Sequence, residues 1–327
     1  MLLLHNVNPA WSPAEKTAAI AAAEYLCVEL SREGHPVESI RVTDPALAEI
    51  LQSFNPEEFI VFNWCEELPG RSRSEAEVVR ILDELNFIYT GSSHDVLSFS
   101  WDKAATKELL HQHNIPTPAW GVFDDGSGVD HWECFPAIVK PAFEHCSLGI
   151  TAESVVMDSR ALKTRVAFVH DTFEQPAIVE DFIDGREFHV TLLGNGFLRA
   201  LPAAEMSFNA LDNMTDRLCT FDSKFTPGSL HYEKIELLVP APLEEAQMRS
   251  LNRTATEAYR VMRCRDYARI DLRMRDGLYY VLDINPNPDL SPDTSMVYAA
   301  NAAGLSYGIF ASSMINLAAQ RHPVFAV

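Results

Sequence analysis

The chain has 327 residues, 47% of them hydrophobic and 22% charged, with a formal net charge of -20 at pH 7. This length accommodates two or three domains, and the composition is that of an ordinary soluble globular protein. The acidic balance opposes nucleic-acid binding, which needs a basic footprint, and no apolar run approaches the ~20 residues of a membrane span.

The start, Met1-Leu2-Leu3-Leu4-His5, lacks a basic n-region and a cleavage site and reads as a first buried strand. The six cysteines (Cys27, Cys65, Cys134, Cys146, Cys219, Cys264) are scattered with no C-x-x-C pair, which suits a reducing cytoplasm and argues against a zinc ribbon. The acidic field repels anions, so any phosphate site must be built locally from placed lysines and arginines.

After the strand at 2–4, Ser12-Pro13-Ala14-Glu15 carries the signals of a helix start, and an apolar stripe (Ala19, Ala22, Ala23, Leu26, Leu30) extends the helix to Arg32. Strands at 37–42, 59–63 and 88–90 alternate with helices at 45–54 and 75–85. That alternation predicts a parallel sheet with helices packed on it. Neither G-x-G-x-x-G after the first strand nor G-x-x-x-x-G-K-[ST] occurs, so a dinucleotide fingerprint and a P-loop are both excluded.

A helix is expected over 96–113, containing Asp102-Lys103, followed by extended chain at 115–120. Strands at 136–141, 178–183 and 187–193 flank a helix at 159–172. The polar stretch 206–229 reads as a mobile flap over a site. An amphipathic helix spans 243–262, and a final helix spans 299–320.

Residues 265–289 read as two strands joined at Asp276-Gly277, a dipeptide that tolerates positive φ. Arg269 and Asp271 alternate on the first strand, Asp283 and Asn285 on the second. A three-residue loop, 276–278, would set Asp271 opposite Asp283 and Arg269 opposite Asn285. A two-residue loop would put the carboxylates on opposite faces. Facing carboxylates plus an amide oxygen are hard ligands suited to Mg²⁺ carrying phosphates, with an arginine beside them for a developing oxyanion. From spacing alone, a solvated edge strand stays open as the alternative. The rigid stop at Asn285-Pro286-Asn287-Pro288-Asp289 favours the metal reading.

The ordered set Tyr89-Thr90-Gly91, Trp101-Asp102-Lys103, Ile115-Pro116-Thr117-Pro118, Val139-Lys140-Pro141, Glu180 with Asp184-Gly185-Arg186-Glu187, Asp222-Ser223-Lys224-Phe225, Ala268-Arg269-Ile270-Asp271, Asp283-Ile284-Asn285 and Ala303-Gly304-Leu305-Ser306-Tyr307 resembles the ATP-grasp carboxylate-amine ligases, within them the D-alanine-D-alanine ligase group. The resemblance runs from about Asn63 to the C-terminus. It implies a mixed α/β and α+β chain with an ATP-grasp fold: a Rossmann-like N-terminal domain (1–95), a central lobe (96–182) and a C-terminal lobe carrying the metal site (183–327), the two lobes enclosing the nucleotide.

The same resemblance implies roles. Lys103 and Lys140 would reach the nucleotide and its phosphates. Glu180 would open the hinge that reads adenine, Ile183 would supply the hinge amide, and Glu187 would accept from ribose hydroxyls. Lys224 in the flap would close on the terminal phosphate. Asp271, Asp283 and Asn285 would hold Mg²⁺, and Arg269 would face the tetrahedral oxyanion. For each taken alone, a solvated or turn side chain is the plain alternative. ATP and Mg²⁺ are the implied cofactors, with small-molecule carboxylate and amine substrates, a cytoplasmic location and a homodimer as family expectations.

Several positions depart from that pattern. The loop after the first strand lacks the family's glutamate, and Glu15 reads as a helix-start carboxylate. In the loop after Lys140, Glu144 and Ser147 fit the family while His145 and Cys146 do not. A flap tyrosine is Cys219, the usual glutamate metal ligand is Asp283, and a substrate-binding glycine is Asp289, with Ser295 matching a nearby serine. Glu144, His145, Ser147, Asp289 and Ser295 are therefore the substrate candidates. A carboxylate at Asp289 would favour a cationic or neutral acceptor over an amino acid. The expected function is a ligase joining a carboxylate to an amine through an acyl phosphate, with substrates other than two D-alanines. A genuine D-alanine-D-alanine ligase and an ATP-binding scaffold without turnover remain the alternatives.

Overall fold

The computed structural model describes residues 1–326, so residue 327, the end of the expected C-terminal lobe, lies outside the described residues. The strands form three sheets. The first is built from β1 (Leu2–Asn6), α1 (Pro13–Arg32), β2 (Glu38–Val42), α2 (Leu47–Leu51), β3 (Ile60–Trp64), α3 (Glu75–Glu84) and β4 (Ile88–Tyr89). Its strands are parallel in the order β2-β1-β3-β4. Leu2 and Leu4 pack on one face with Val61 and α3, whereas Leu3 and Phe62 pack on the other with α1. Both faces of a parallel sheet are covered, as the pairing pattern requires. Glu15 closes a capping box on α1: its carboxylate accepts from the Ser12 N–H at 2.7 Å.

The helix expected over 96–113 is two helices, α4 (His94–Ser100) and α5 (Lys103–Gln112). Asp102 restarts the chain as an N-cap, its Oδ1 accepting from the Ala105 N–H at 2.9 Å. Lys103 is thereby placed in the first turn of α5 and aimed at the neighbouring loop. A second sheet follows from β5 (Trp120–Phe123), β6 (Ala137–Pro141), β7 (Val155–Val156), α6 (Ser159–Phe173) and β8 (Ala177–Asp181). It is antiparallel in the order β5-β8-β6-β7. Val139 and Val179 face α6, and Ile138 and Glu180 face the opposite side.

The third sheet comprises β9 (Glu187–Leu193), β10 (Arg199–Ala200), β11 (Ala204–Ser207), then, after α7 (Asp222–Phe225) and α8 (Leu230–Lys234), β12 (Glu236–Leu238), and, after α9 (Glu245–Val261), β13 (Tyr267–Arg275) and β14 (Leu278–Asn285). The order β12-β11-β9-β13-β14, with β10 on β9, is antiparallel throughout. One face packs on α9 and also takes Val96, Leu110 and Ile115. The segment expected to begin the central lobe thus shares its core with the third sheet.

The helix expected over 299–320 is also two, α10 (Ser295–Ala302) and α11 (Tyr307–Ala319), broken at Gly304, whose φ is +78°. Their apolar surfaces pack back on the first sheet through Met296, Phe310 and Met314. Among the described residues no single helix is long and apolar enough to cross a membrane.

The stretch expected as a mobile flap starts inside β11, and its middle is anchored. Leu218 packs with Ile138, Val155 and Phe182 of the second sheet. Enough apolar side chains are spaced through this polar segment to seat it.

Candidate active site between the two antiparallel sheets

The hairpin sets Asp271 opposite Asp283 and Arg269 opposite Asn285, as expected, but by another route. The loop is two residues long: Arg275 pairs with Leu278, and Asp276 and Gly277 both take positive φ, at 54° and 78°. The odd residue is a bulge farther up β14, where the register shifts between Asp271 and Leu272. Tyr279 and Val281 pack into the core beneath the sheet. Leu282 and Asp283 both line the cleft above it, and Ile284 returns to the core. The bulge therefore restores the phase that a two-residue turn would have reversed.

On β9, Thr191, His189 and Glu187 stand beside Arg269, Asp271 and Arg273 respectively. This three-strand layer is the floor of a cleft whose walls include Lys140, Ser147, Glu180, Ile183 and Lys224. Arg269 grips Asp271 with both ends of its guanidinium, Nε to Oδ1 at 2.7 Å and NH2 to Oδ2 at 2.9 Å. Burial pushes the Asp271 carboxyl up, but Arg269 and then His189 together hold the group below the usual range. Asn285 donates through Nδ2 to Asp271 Oδ2 at 3.0 Å, which leaves its Oδ1 as the acceptor.

Glu180 is 1% exposed and serves as counter-ion to two lysines. Its Oε2 is 3.1 Å from Lys140 Nζ and 3.2 Å from Lys107 Nζ. Burial raises its pKa, yet Lys107 and Lys140 together bring it below the ordinary value. Oε1 is buried with no partner among the described residues. Lys107, only 3% exposed, escaped the sequence reading, although it lies one turn beyond Lys103 on the same helix face. Lys103 Nζ donates to the Glu144 carbonyl, and burial lowers its pKa against the pull of Asp283.

Glu187 is engaged through one of its two carboxylate oxygens. Its Oε2 accepts from Arg273 Nε at 2.7 Å, and its Oε1 lies 3.7 Å from His189 Nε2. Burial pushes the carboxyl up, but Arg273 and then His189 hold it well below the usual range. Arg273 is 3% exposed and also donates to the carbonyls of Ile183, at 2.9 Å, and Arg217. One side chain thus ties floor, hinge and flap together. Its only sequence signal was its phase with Arg269 and Asp271.

The loop after β6 carries two successive residues in the left-handed region, Cys146 at φ 56° and Ser147 at φ 60°. Such backbone costs of order 1–3 kcal/mol per residue and persists where surroundings impose it. It presents Ser147 Oγ to Lys224 Nζ at 3.1 Å, closing the flap over the cleft. Glu144 and His145 are not brought to the cleft. Glu144 Oε1 is held by Arg73 and by Gln175 Nε2, the latter at 2.8 Å. His145 packs edge-on against Trp101 with centroids 4.2 Å apart, and burial, then Lys103, lowers its pKa to about 4. Both are loop-fixing residues, because a short loop turned twice through positive φ has few other anchors.

Ser295 Oγ meets His189 Nδ1 at 3.0 Å. Asp289 Oδ1 accepts from Ser291 N–H at 2.9 Å and from its Oγ at 2.7 Å. Asp289 lies near Glu66, which follows β3, and Glu66 in turn near Glu75, the first residue of α3. Glu66 is exposed, yet crowding by the surrounding chain, then Asp289 and Glu67, pushes it up to about 7. Glu75 is pushed up to about 8 by burial and then by Glu66. Nothing in the sequence pattern marked these two glutamates, which sit 14 or more residues from any motif used above.

Because the folded-state value of Glu75 lies above its ordinary one, its contribution is fully present below about pH 4.5 and is lost as pH rises through about 8. Glu75→Gln is expected to stabilise the protein at about pH 9 by roughly 1–3 kcal/mol, a rise in thermal midpoint of several degrees, and to change little at about pH 4. Equal shifts at both pH values would contradict the raised pKa.

Comparison with known proteins identifies the family. Residues 112–316 match the family model described as D-ala D-ala ligase C-terminus. The uncharacterized protein y4sG of Sinorhizobium fredii is 32% identical over 286 residues, covering 85% of this chain and 82% of its own. The D-alanine–D-alanine ligase of Syntrophotalea carbinolica is 30% identical over 297 residues, covering 90% and 89%. The crystal structure of D-alanine–D-alanine ligase from Bacillus anthracis complexed with ATP superposes with a TM-score of 0.75 at 20% identity, over 97% of both chains, which supports the ATP-grasp fold. The chain belongs to the D-alanine–D-alanine ligase family of ATP-grasp proteins and is an ADP-forming ligase.

Proposed function

We propose that the protein joins a carboxylate to a cationic or neutral amine, using ATP and Mg²⁺ in the cleft between its antiparallel sheets, rather than joining two D-alanines. The observation that carries the ligase chemistry is the convergence of Lys140 and Lys224 with Asp271 and Asp283 on that one cleft. The donor carboxylate attacks the terminal phosphorus of ATP and ADP leaves. The amine then attacks the acyl carbon, phosphate leaves, and the amine loses a proton. Lys140 and Lys224 neutralise phosphate oxygens, and Lys103 supports them from behind. Glu180 Oε1 offers a buried acceptor for the amino group of adenine beside Ile183, and Glu187 Oε1 is the atom left for a ribose hydroxyl.

The oxygen atoms of Asp271, Asp283 and Asn285 fit a hard divalent ion, and bound Mg²⁺ would cancel phosphate charge that this acidic chain otherwise repels. Arg269, which Asp271 holds through Nε and NH2, would offer its guanidinium to the developing oxyanion. Asp289, Glu66 and Glu75 support the specificity. Asp289 disfavours an incoming carboxylate, and Glu66 and Glu75, raised to about 7 and about 8, take up negative charge more readily when a cation comes beside them. A cytoplasmic homodimer divided near residues 95 and 182 completes the proposal. ADP release measured across a panel of carboxylate and amine pairs tests it. Greatest turnover with a cationic or uncharged amine is the expected outcome, and preferred turnover of D-alanine alone would refute the altered specificity.

A further inference from the structure

We propose that Glu187, His189 and Cys219 form a binding site for a thiophilic divalent ion of the zinc class, one that pins the flap to the floor of the cleft. The site shares Glu187 Oε1 with the ribose contact of the ligase reading, so ion and nucleotide exclude each other there, but none of its donors belongs to the Mg²⁺ set. One ligand atom from each residue lies within 4.8 Å of the other two. Around tetrahedral zinc, with bonds of about 2.0–2.3 Å, neighbouring donors sit roughly 3.3–3.8 Å apart. Glu187 Oε1 and His189 Nε2 are already at 3.7 Å. Closing the triad therefore asks for a movement of about 1 Å, mostly in the flap that carries Cys219.

The two floor residues are oriented as metal ligands usually are. His189 Nδ1 meets Ser295 Oγ at 3.0 Å. A proton donated there leaves the lone pair of Nε2 facing Glu187. Glu187 spends Oε2 on Arg273 and turns Oε1 toward the imidazole. Glu187 and His189 are two apart on β9 and so share one face, and both are buried. The third donor is sulfur. Thiolate with imidazole selects zinc-class ions, whereas the oxygen set of Asp271, Asp283 and Asn285 suits Mg²⁺, so the two sites in one cleft discriminate by ligand softness. Binding displaces the thiol proton of Cys219 to solvent and leaves a coordination position open to water. The ion would bridge two elements that must separate for nucleotide to enter, so it acts as an inhibitory latch.

Titration of the full chain with Co²⁺ tests this directly. The expected result is sulfur-to-cobalt charge-transfer absorption that saturates near one ion per chain and is abolished by Zn²⁺. It should vanish in Cys219→Ser, weaken at least about tenfold in affinity in His189→Ala, and persist in Cys134→Ser and Cys146→Ser. Absence of the band, or its survival in Cys219→Ser, would overturn the proposal. Alkylation of the unaltered protein gives a readout that needs no variant to fold. Zn²⁺ is expected to slow labelling of Cys219, read by peptide mass, and labelling that Zn²⁺ leaves unchanged would equally overturn it.

Discussion

Glu180→Gln is expected to destabilise the folded chain by about 3–5 kcal/mol, because it leaves two buried ammonium groups facing a neutral amide. Lys107 is 3% exposed, and among the described residues its Nζ meets Glu180 and, at 3.0 Å, the Thr117 hydroxyl. At about 2–4 °C per kcal/mol, the thermal midpoint should fall by roughly 6–20 °C. The deficit has a definite pH dependence. Burial already lowers the pKa of Lys107, and losing Glu180 removes the group that opposes this. A lysine with a depressed folded-state pKa costs stability at low pH and less as pH rises through that value. The shortfall should therefore shrink on going to alkaline pH. Pairing the change with Lys107→Met should recover most of the loss, since a matched apolar group needs no counter-ion. A midpoint within a degree or so of wild type would show that the ion triad is not buried as described.

Asp283→Asn should lower acceptor-dependent ADP formation by about a hundred- to a thousandfold while barely moving the thermal midpoint. Asp283 accepts a hydrogen bond from its own neighbour, the Ile284 N–H at 3.0 Å. Removing its charge thus breaks no long-range ion pair within the hairpin. Asp271→Asn should cost as much activity and also destabilise, because the buried Arg269 loses the carboxylate that grips it at 2.7 and 2.9 Å. The contrast separates metal holding from structural pairing. In both variants the Mg²⁺ concentration for half-maximal rate should rise. Equal stability losses for the two, or unchanged Mg²⁺ dependence, would contradict the assigned division of labour.

Much of this site was legible in the residues, and the misses have physical causes. The facing of Asp271 and Asp283 follows from side-chain alternation, but the turn length inferred from it was wrong. Periodicity reports phase at each end of a strand and is blind to a bulge between them, so an odd loop and an even loop with a bulge read alike. The breaks after Ser100 and Ala302 were overlooked because both flanks keep helical spacing. Asp102 as a cap and Gly304 as a stop are local signals that the longer pattern masked. Lys107, Arg273 and His189 escaped because the family motifs name their partners Glu180 and Glu187 but not the residues themselves. Their importance comes from burial, which no motif encodes. Glu66 and Glu75 reach the site only through tertiary contact of the first sheet's loops with the segment after β14. Glu187 and Glu144 were placed in the right neighbourhood, yet each spends a carboxylate oxygen on an arginine, a pairing invisible before the chain is folded.

Transfer of oxygen from donor to phosphate is the most direct test of the whole account. The donor and amine that turn over best in the substrate panel would be supplied with ATP and Mg²⁺, the donor carrying heavy oxygen in its carboxylate. Passage through an acyl phosphate requires that one labelled oxygen per turnover leave with inorganic phosphate, and that ADP and amide form in equal amounts. Phosphate free of label alongside stoichiometric amide would mean that the carboxylate never received the phosphoryl group.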